Sequence, residues 1–220
     1  MIEVIVSVGA ALALYLAVEA VLSGISWGFR KLRQNSIRKK CEEYLVTLPL
    51  TEEDQRLVEC GRALMAEFFP AGIEQRFKHQ TLEQRVELMK ALIERANQLY
   101  RVDIDSITFA PASEIGSYTL GFFDRETNGI AINLDILASD EAEVIRAMVT
   151  TIFHECRHAL QYRAVTDETF SYGSEEQLHL WALNFMEGNY IPAEVDFVLY
   201  QQQAVEADAR QIAEKITENF

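Results

Sequence analysis

The chain has 220 residues, with 20 Lys and Arg against 34 Asp and Glu, and a formal net charge of −14 at pH 7. That excess of acid argues against nucleic acid as a partner, because phosphate binding needs Lys and Arg clustered on the domain surface. Hydrophobic residues make up 49% of the chain, ample for one compact domain plus an appendage, and Cys41, Cys60 and Cys156 show no paired or C-x-x-C spacing, which points to neither a disulfide scaffold nor a thiolate metal site.

The first element is apolar. Val4 to Val18 continue through Ala20 to Phe29 with one interruption at Glu19, a length that crosses a bilayer core of about 30 Å. The leading Met1-Ile2-Glu3 carries no positive charge, which argues against a cleaved signal peptide. Arg30, Lys31, Arg33, Arg38, Lys39 and Lys40 follow without an acid, and the positive-inside rule then puts this cluster in the cytoplasm. The expectation is therefore a transmembrane or membrane-anchor helix over residues 1–29, a basic juxtamembrane linker over 30–50, and a domain over 51–220 that faces the cytoplasm from a single-pass membrane protein. The alternative is a soluble cytoplasmic protein in which the first segment is a buried or interfacial helix.

Thr51, followed by Glu52, Glu53 and Asp54, caps a helix that ends before Pro70. Thr81, with Glu83 and Gln84 following, caps another that runs to about Tyr100. His79, in the polar link between them, reads as a solvated residue. Segments 106–110, 117–123 and 130–134 are rich in β-branched and aromatic residues and read as strands, with Asn128-Gly129 as the turn before the last.

Ile145, Met148, Val149, Ile152, Phe153, Cys156, Ala159 and Leu160 then form one apolar stripe at helical spacing. His154-Glu155-Cys156-Arg157-His158 lies on this helix. A residue advances about 100° per step, so the two histidines stand one above the other on the face opposite the stripe, where both imidazoles can grip one metal ion. H-E-x-x-H is the motif of zinc peptidases, in which a catalytic site keeps three protein ligands and leaves the fourth position to water; Glu155 would be the base for that water. Cys156 points into the stripe and reads as a small buried hydrophobe. Arg157 departs from the uncharged residues usual between the histidines.

A third ligand must come from another segment. Glu206 is the leading candidate, in a helical pattern opened by Pro192 in which Val198, Val205, Ala209, Ile212 and Ile216 recur on one side. It borders the apolar side, where a carboxylate costs free energy unless it is paired or metal-bound. Glu194 and His179 remain rivals. Asp208 points about 200° away and would orient a histidine or Arg210 from behind. Tyr162, Tyr172, Tyr190 and Tyr200 all lie near the two segments, and any one of them could hydrogen-bond an oxyanion.

With Glu206-Ala207-Asp208-Ala209 beside the first motif, residues 100–217 resemble a zincin metallopeptidase of the gluzincin type. They are similar to the small bacterial and phage members whose H-E-x-x-H helix is followed by a helix bearing E-x-D-A. The resemblance implies a zincin-like α+β fold, with a small, mostly antiparallel sheet followed by the H-E-x-x-H helix and further helices. It implies one catalytic Zn2+ on His154, His158 and Glu206, with Glu155 as general base and then acid, in a hydrolase acting on a protein or peptide substrate. It also implies that an edge strand binds substrate, for which Asn133 and its neighbours are the candidates. Two other readings are a catalytically silent zincin-fold binding or scaffold protein at the membrane, and a protease made for one protein partner.

Overall fold

Thr51 and Thr81 both start helices, and for the same physical reason. The Thr51 hydroxyl accepts from the Asp54 backbone N–H while the Asp54 carboxylate accepts from the Thr51 N–H, a reciprocal cap that opens α1 (Glu52–Phe68). After the short α2 (Ile73–Phe77), Thr81 and Gln84 repeat the device at the start of α3 (Leu82–Tyr100). The computed structural model describes Lys39 and residues 42–220, of which Tyr44–Phe220 form one compact unit.

A three-stranded sheet follows: β1 (Ser106–Ala110), the short helix α4 (Ala112–Ile115), β2 (Gly121–Asp124) and β3 (Gly129–Asn133), in the spatial order β1-β3-β2. The β2–β3 hairpin is antiparallel and turns through Asn128, whose φ of 46° lies in the left-handed region. The β1–β3 pair is parallel, Ser106 opposite Gly129 through Ala110 opposite Asn133. The sheet is thus mixed, which corrects the expected mostly antiparallel one: β3, the most buried strand, inserts between the other two, and α4 carries the chain across to the far edge. Asn133 therefore sits on the central strand, fully buried, and is not a substrate-facing residue. Its amide donates to the carbonyls of Gly116 and Thr119, and its Oδ1 accepts from the Asp135 and Ile136 N–H groups to cap α5 (Leu134–Leu137).

The helix α6 (Ala142–Thr166) crosses this assembly. Its stripe of Met148, Val149, Ile152, Phe153, Cys156 and Leu160 is buried in one core with Met89, Leu92 and Ile93 of α3. The opposite side of α6 faces β2 and two later helices, α7 (Glu175–Phe185) and α9 (Ala204–Thr217); the short α8 (Phe197–Gln202) packs on α9. Gly121 permits the close approach of β2; a Cβ there would meet the Ala131 carbonyl at 2.7 Å and the Thr151 methyl of α6 at 3.3 Å.

The helical pattern expected from Pro192 through Ile216 breaks. Residues 192–196 form a turn, Asp196 caps α8, and the extended Gln203 separates α8 from α9. The break is held by polar side chains: the Gln203 amide bonds the Ile191 backbone in both directions and accepts from Asn184. Among the described residues no helix is long and apolar enough to cross a membrane, which corrects the transmembrane part of the expected fold and the single-pass localisation drawn from it. The segment on which that expectation rested, residues 1–29, lies outside the described residues.

Candidate metal centre

His154 and His158, four residues apart on α6, turn their rings toward each other at 87° with centroids 4.6 Å apart. Their Nε2 atoms come within 3.0 Å. Glu206, in the first turn of α9, completes the group: its Oε2 lies 3.3 Å from His154 Nε2 and its Oε1 3.4 Å from His158 Nε2. One ligand atom from each of the three residues lies within 4.8 Å of the others, so the group could hold a metal ion. Burial makes the arrangement unusual for a carboxylate. Glu206 is 2% exposed, and its ion-pair partners among the described residues are these two imidazoles. A buried carboxylate in such surroundings calls for a cation.

The two rivals fall outside the group. Glu194 is exposed in the 192–196 turn, and His179 is exposed on α7.

The electrostatics follow from this packing. Burial opposes the charge on His158, but the Glu206 carboxylate outweighs it and lifts the imidazole to about 9. Burial likewise opposes ionisation of Glu206, and the two histidines override it, holding its carboxyl well below the usual carboxylate range. Glu155, 7% exposed, is raised by burial, with the nearby histidines partly offsetting the rise. Its Oε2 accepts the Phe123 backbone N–H at 2.9 Å, which fixes the carboxylate beside β2, the edge strand next to α6. Burial and the Glu155 carboxylate push the Cys156 thiol up, so this residue is an inert packing group.

An open cavity of about 350 Å³ leads to the group, lined by Phe122, Asp124, Tyr162, Phe185 and Tyr190 together with His158 and Glu206. The four tyrosines take different places. Tyr172 is buried and bonded to Asp54 and Arg157. Tyr162 packs between Phe123 and Phe185. Tyr190 and Tyr200 touch each other edge to face, and the Tyr190 hydroxyl donates to Glu206 Oε1 at 2.7 Å.

Behind the histidines lies a charge cluster that the motif spacing does not reveal. Arg157, wholly buried, donates through Nε and Nη2 to Asp208 and through Nη2 to Asp54, at 2.7–3.0 Å. Its guanidinium lies 5.0 Å from the Trp181 ring centroid. Asp208 thus binds Arg157 rather than a histidine, and Arg210 reaches the Gln201 carbonyl instead. Gln161, three residues beyond His158 and so on the same helix face, links the ring to Asp208. The i, i+3 spacing was the one sequence signal for it.

No family model matches the chain, and no curated protein or solved structure matches it either.

Proposed function

We propose that the protein is a zinc-dependent metallopeptidase of the gluzincin type, hydrolysing peptide bonds in the cleft between β2 and α9. The observation that carries this reading is the convergence of His154, His158 and Glu206 near the buried Glu155, with His158 and Glu206 lining an open cavity. Two imidazole nitrogens and one carboxylate are a ligand set used by catalytic zinc centres, and they leave room for a fourth ligand. When bound, the ion supplies Lewis-acid polarisation of the scissile carbonyl and a lowered pKa for water.

The residues around it do the rest. Glu155, steadied by the Phe123 N–H, takes the proton of the attacking water and passes it to the leaving amine nitrogen. Tyr190, whose single hydroxyl hydrogen points to Glu206 Oε1, turns it to the carbonyl oxygen as negative charge grows there. β2 is an edge strand beside the cleft, so beyond the Phe123 N–H that Glu155 holds an extended peptide can add there as a further strand.

Full-length protein supplied with zinc should cleave fluorescence-quenched peptides, lose the activity to a strong chelator and regain it on adding zinc. Cleavage that survives chelation would exclude the reading, whereas retained zinc without cleavage of peptides or unfolded protein would favour the silent scaffold. Tyr190→Phe, measured at saturating zinc because its hydroxyl also bonds the ligand Glu206, should lose about 10²-fold in kcat, the size expected for one oxyanion donor. An unchanged kcat would remove Tyr190 from that role.

A further inference from the structure

Gln161 is fully buried, and its amide has one orientation open to it. Nε2 carries two hydrogens and faces two oxygens, the Val205 carbonyl at 3.0 Å and Asp208 Oδ2 at 2.6 Å. Neither oxygen has a hydrogen to give. The first is a backbone carbonyl, and the second belongs to a carboxylate that receives Arg157 Nε and Nη2 on its two oxygens. Flipping the amide would set oxygen against both of these acceptors and leave a buried polar pair unsatisfied. The Gln161 Oε1 therefore faces His158 Nδ1, at 2.8 Å, and an oxygen with only lone pairs requires that nitrogen to carry hydrogen. The other ring nitrogen, Nε2, is the one turned toward His154 and Glu206.

We propose that Gln161 is the positioning residue for His158, and that the buried Arg157–Asp208 pair fixes Gln161 in turn, so that the ring presents Nε2 to a bound cation in a set orientation. The inference rests on the metallopeptidase reading for the identity of that cation. It gives the departure at Arg157 a role: the arginine inside the motif keeps Asp208 an acceptor at both oxygens and thereby prevents the amide from turning. The chain of contacts continues from Arg157 to Asp54 and the cap of α1. The working unit is then His154, Glu155, Arg157, His158 and Gln161 on α6 with Glu206 and Asp208 on α9. Such outer partners commonly decide how firmly a histidine ligand holds its metal.

The test uses the full chain labelled with 15N-histidine and loaded with zinc. The parent should show a His158 Nδ1–H resonance protected from exchange with water. Gln161→Met should lose that protection and weaken zinc binding about 10- to 100-fold by chelator competition, the usual range for loss of such a partner. Tyr172→Phe serves as the control, because its hydroxyl touches Asp54 and Arg157 but neither Gln161 nor Asp208. It should lower the thermal midpoint and leave zinc affinity and the resonance in place.

A zinc-loaded parent whose Nδ1–H exchanges freely would overturn the proposal even if the Met variant did not fold. A Met variant with parent-like affinity and an intact resonance would overturn it while leaving the peptidase reading standing. A parent that takes up no zinc would overturn both.

Discussion

Arg157→Met should destabilise the protein by about 3–5 kcal/mol, the usual cost of removing one partner from a buried ion pair. The side chain is wholly buried, and Asp54 and Asp208, its two anionic partners, are 0% and 8% exposed. In a domain of this size each kcal/mol moves the thermal midpoint by about 2–4 °C, so calorimetry at pH 7 should read a fall of roughly 10 °C. The pH dependence gives a second readout. Burial alone would raise the Asp54 carboxyl, but Arg157, the Thr51 N–H and hydroxyl, and Gln177 together hold it below its ordinary value. A depressed carboxylate contributes stability that is present above its unfolded pKa and lost as pH falls through its folded one. The parent should therefore begin to lose this contribution only below about pH 4. In the Met variant Asp54 lacks the guanidinium that lowers its carboxyl, while burial still favours its neutral form, so the variant gains relative to the parent as pH falls. The gap in midpoint should be largest at pH 7 and shrink toward pH 4. A gap that is small at pH 7, or independent of pH, would contradict the assignment of Arg157 as the counterion.

Glu155→Gln should leave metal content unchanged and reduce hydrolysis about 10²- to 10⁴-fold, the usual contribution of a positioned general base. The substitution preserves shape, and the remaining amide oxygen can still accept the Phe123 N–H. Glu155 is not among the three residues of the metal group, so the loss would lie in proton transfer rather than in metal binding. His154→Ala, by contrast, should lose both metal and activity. Full turnover by the Gln variant would take Glu155 out of the chemistry, and loss of zinc from it would make Glu155 a ligand.

Local signals in the sequence carried much of this account. The capping residues Thr51 and Thr81 announced α1 and α3, the 3.6-residue stripe announced α6, and the same stripe placed His154 and His158 on the opposite face. Periodicity also set Glu206 at the border of an apolar face, and the fold brings it to the histidines while leaving Glu194 and His179 apart. Pairing between distant segments was not legible. A strand pattern gives no neighbour, so the parallel β1–β3 pair and the central place of Asn133 required the tertiary fold. Nor does a charged residue within a motif reveal its burial. Arg157 reads only as a departure from the motif until Asp54, which lies 103 residues away, and Asp208 are seen around it. The break at Gln203 is of the same kind, because the side chains that hold it come from Asn184 and the Ile191 backbone.

A metal ion held by His154, His158 and Glu206 underlies both the proposed hydrolysis and the role given to Gln161. The most direct test is the metal content of the purified full-length protein by elemental analysis, beside Glu206→Ala and Glu194→Ala. One zinc per chain, lost in Glu206→Ala and kept in Glu194→Ala, is the predicted result. A parent without metal after zinc is supplied, or a Glu206→Ala variant that retains it, would contradict the claim.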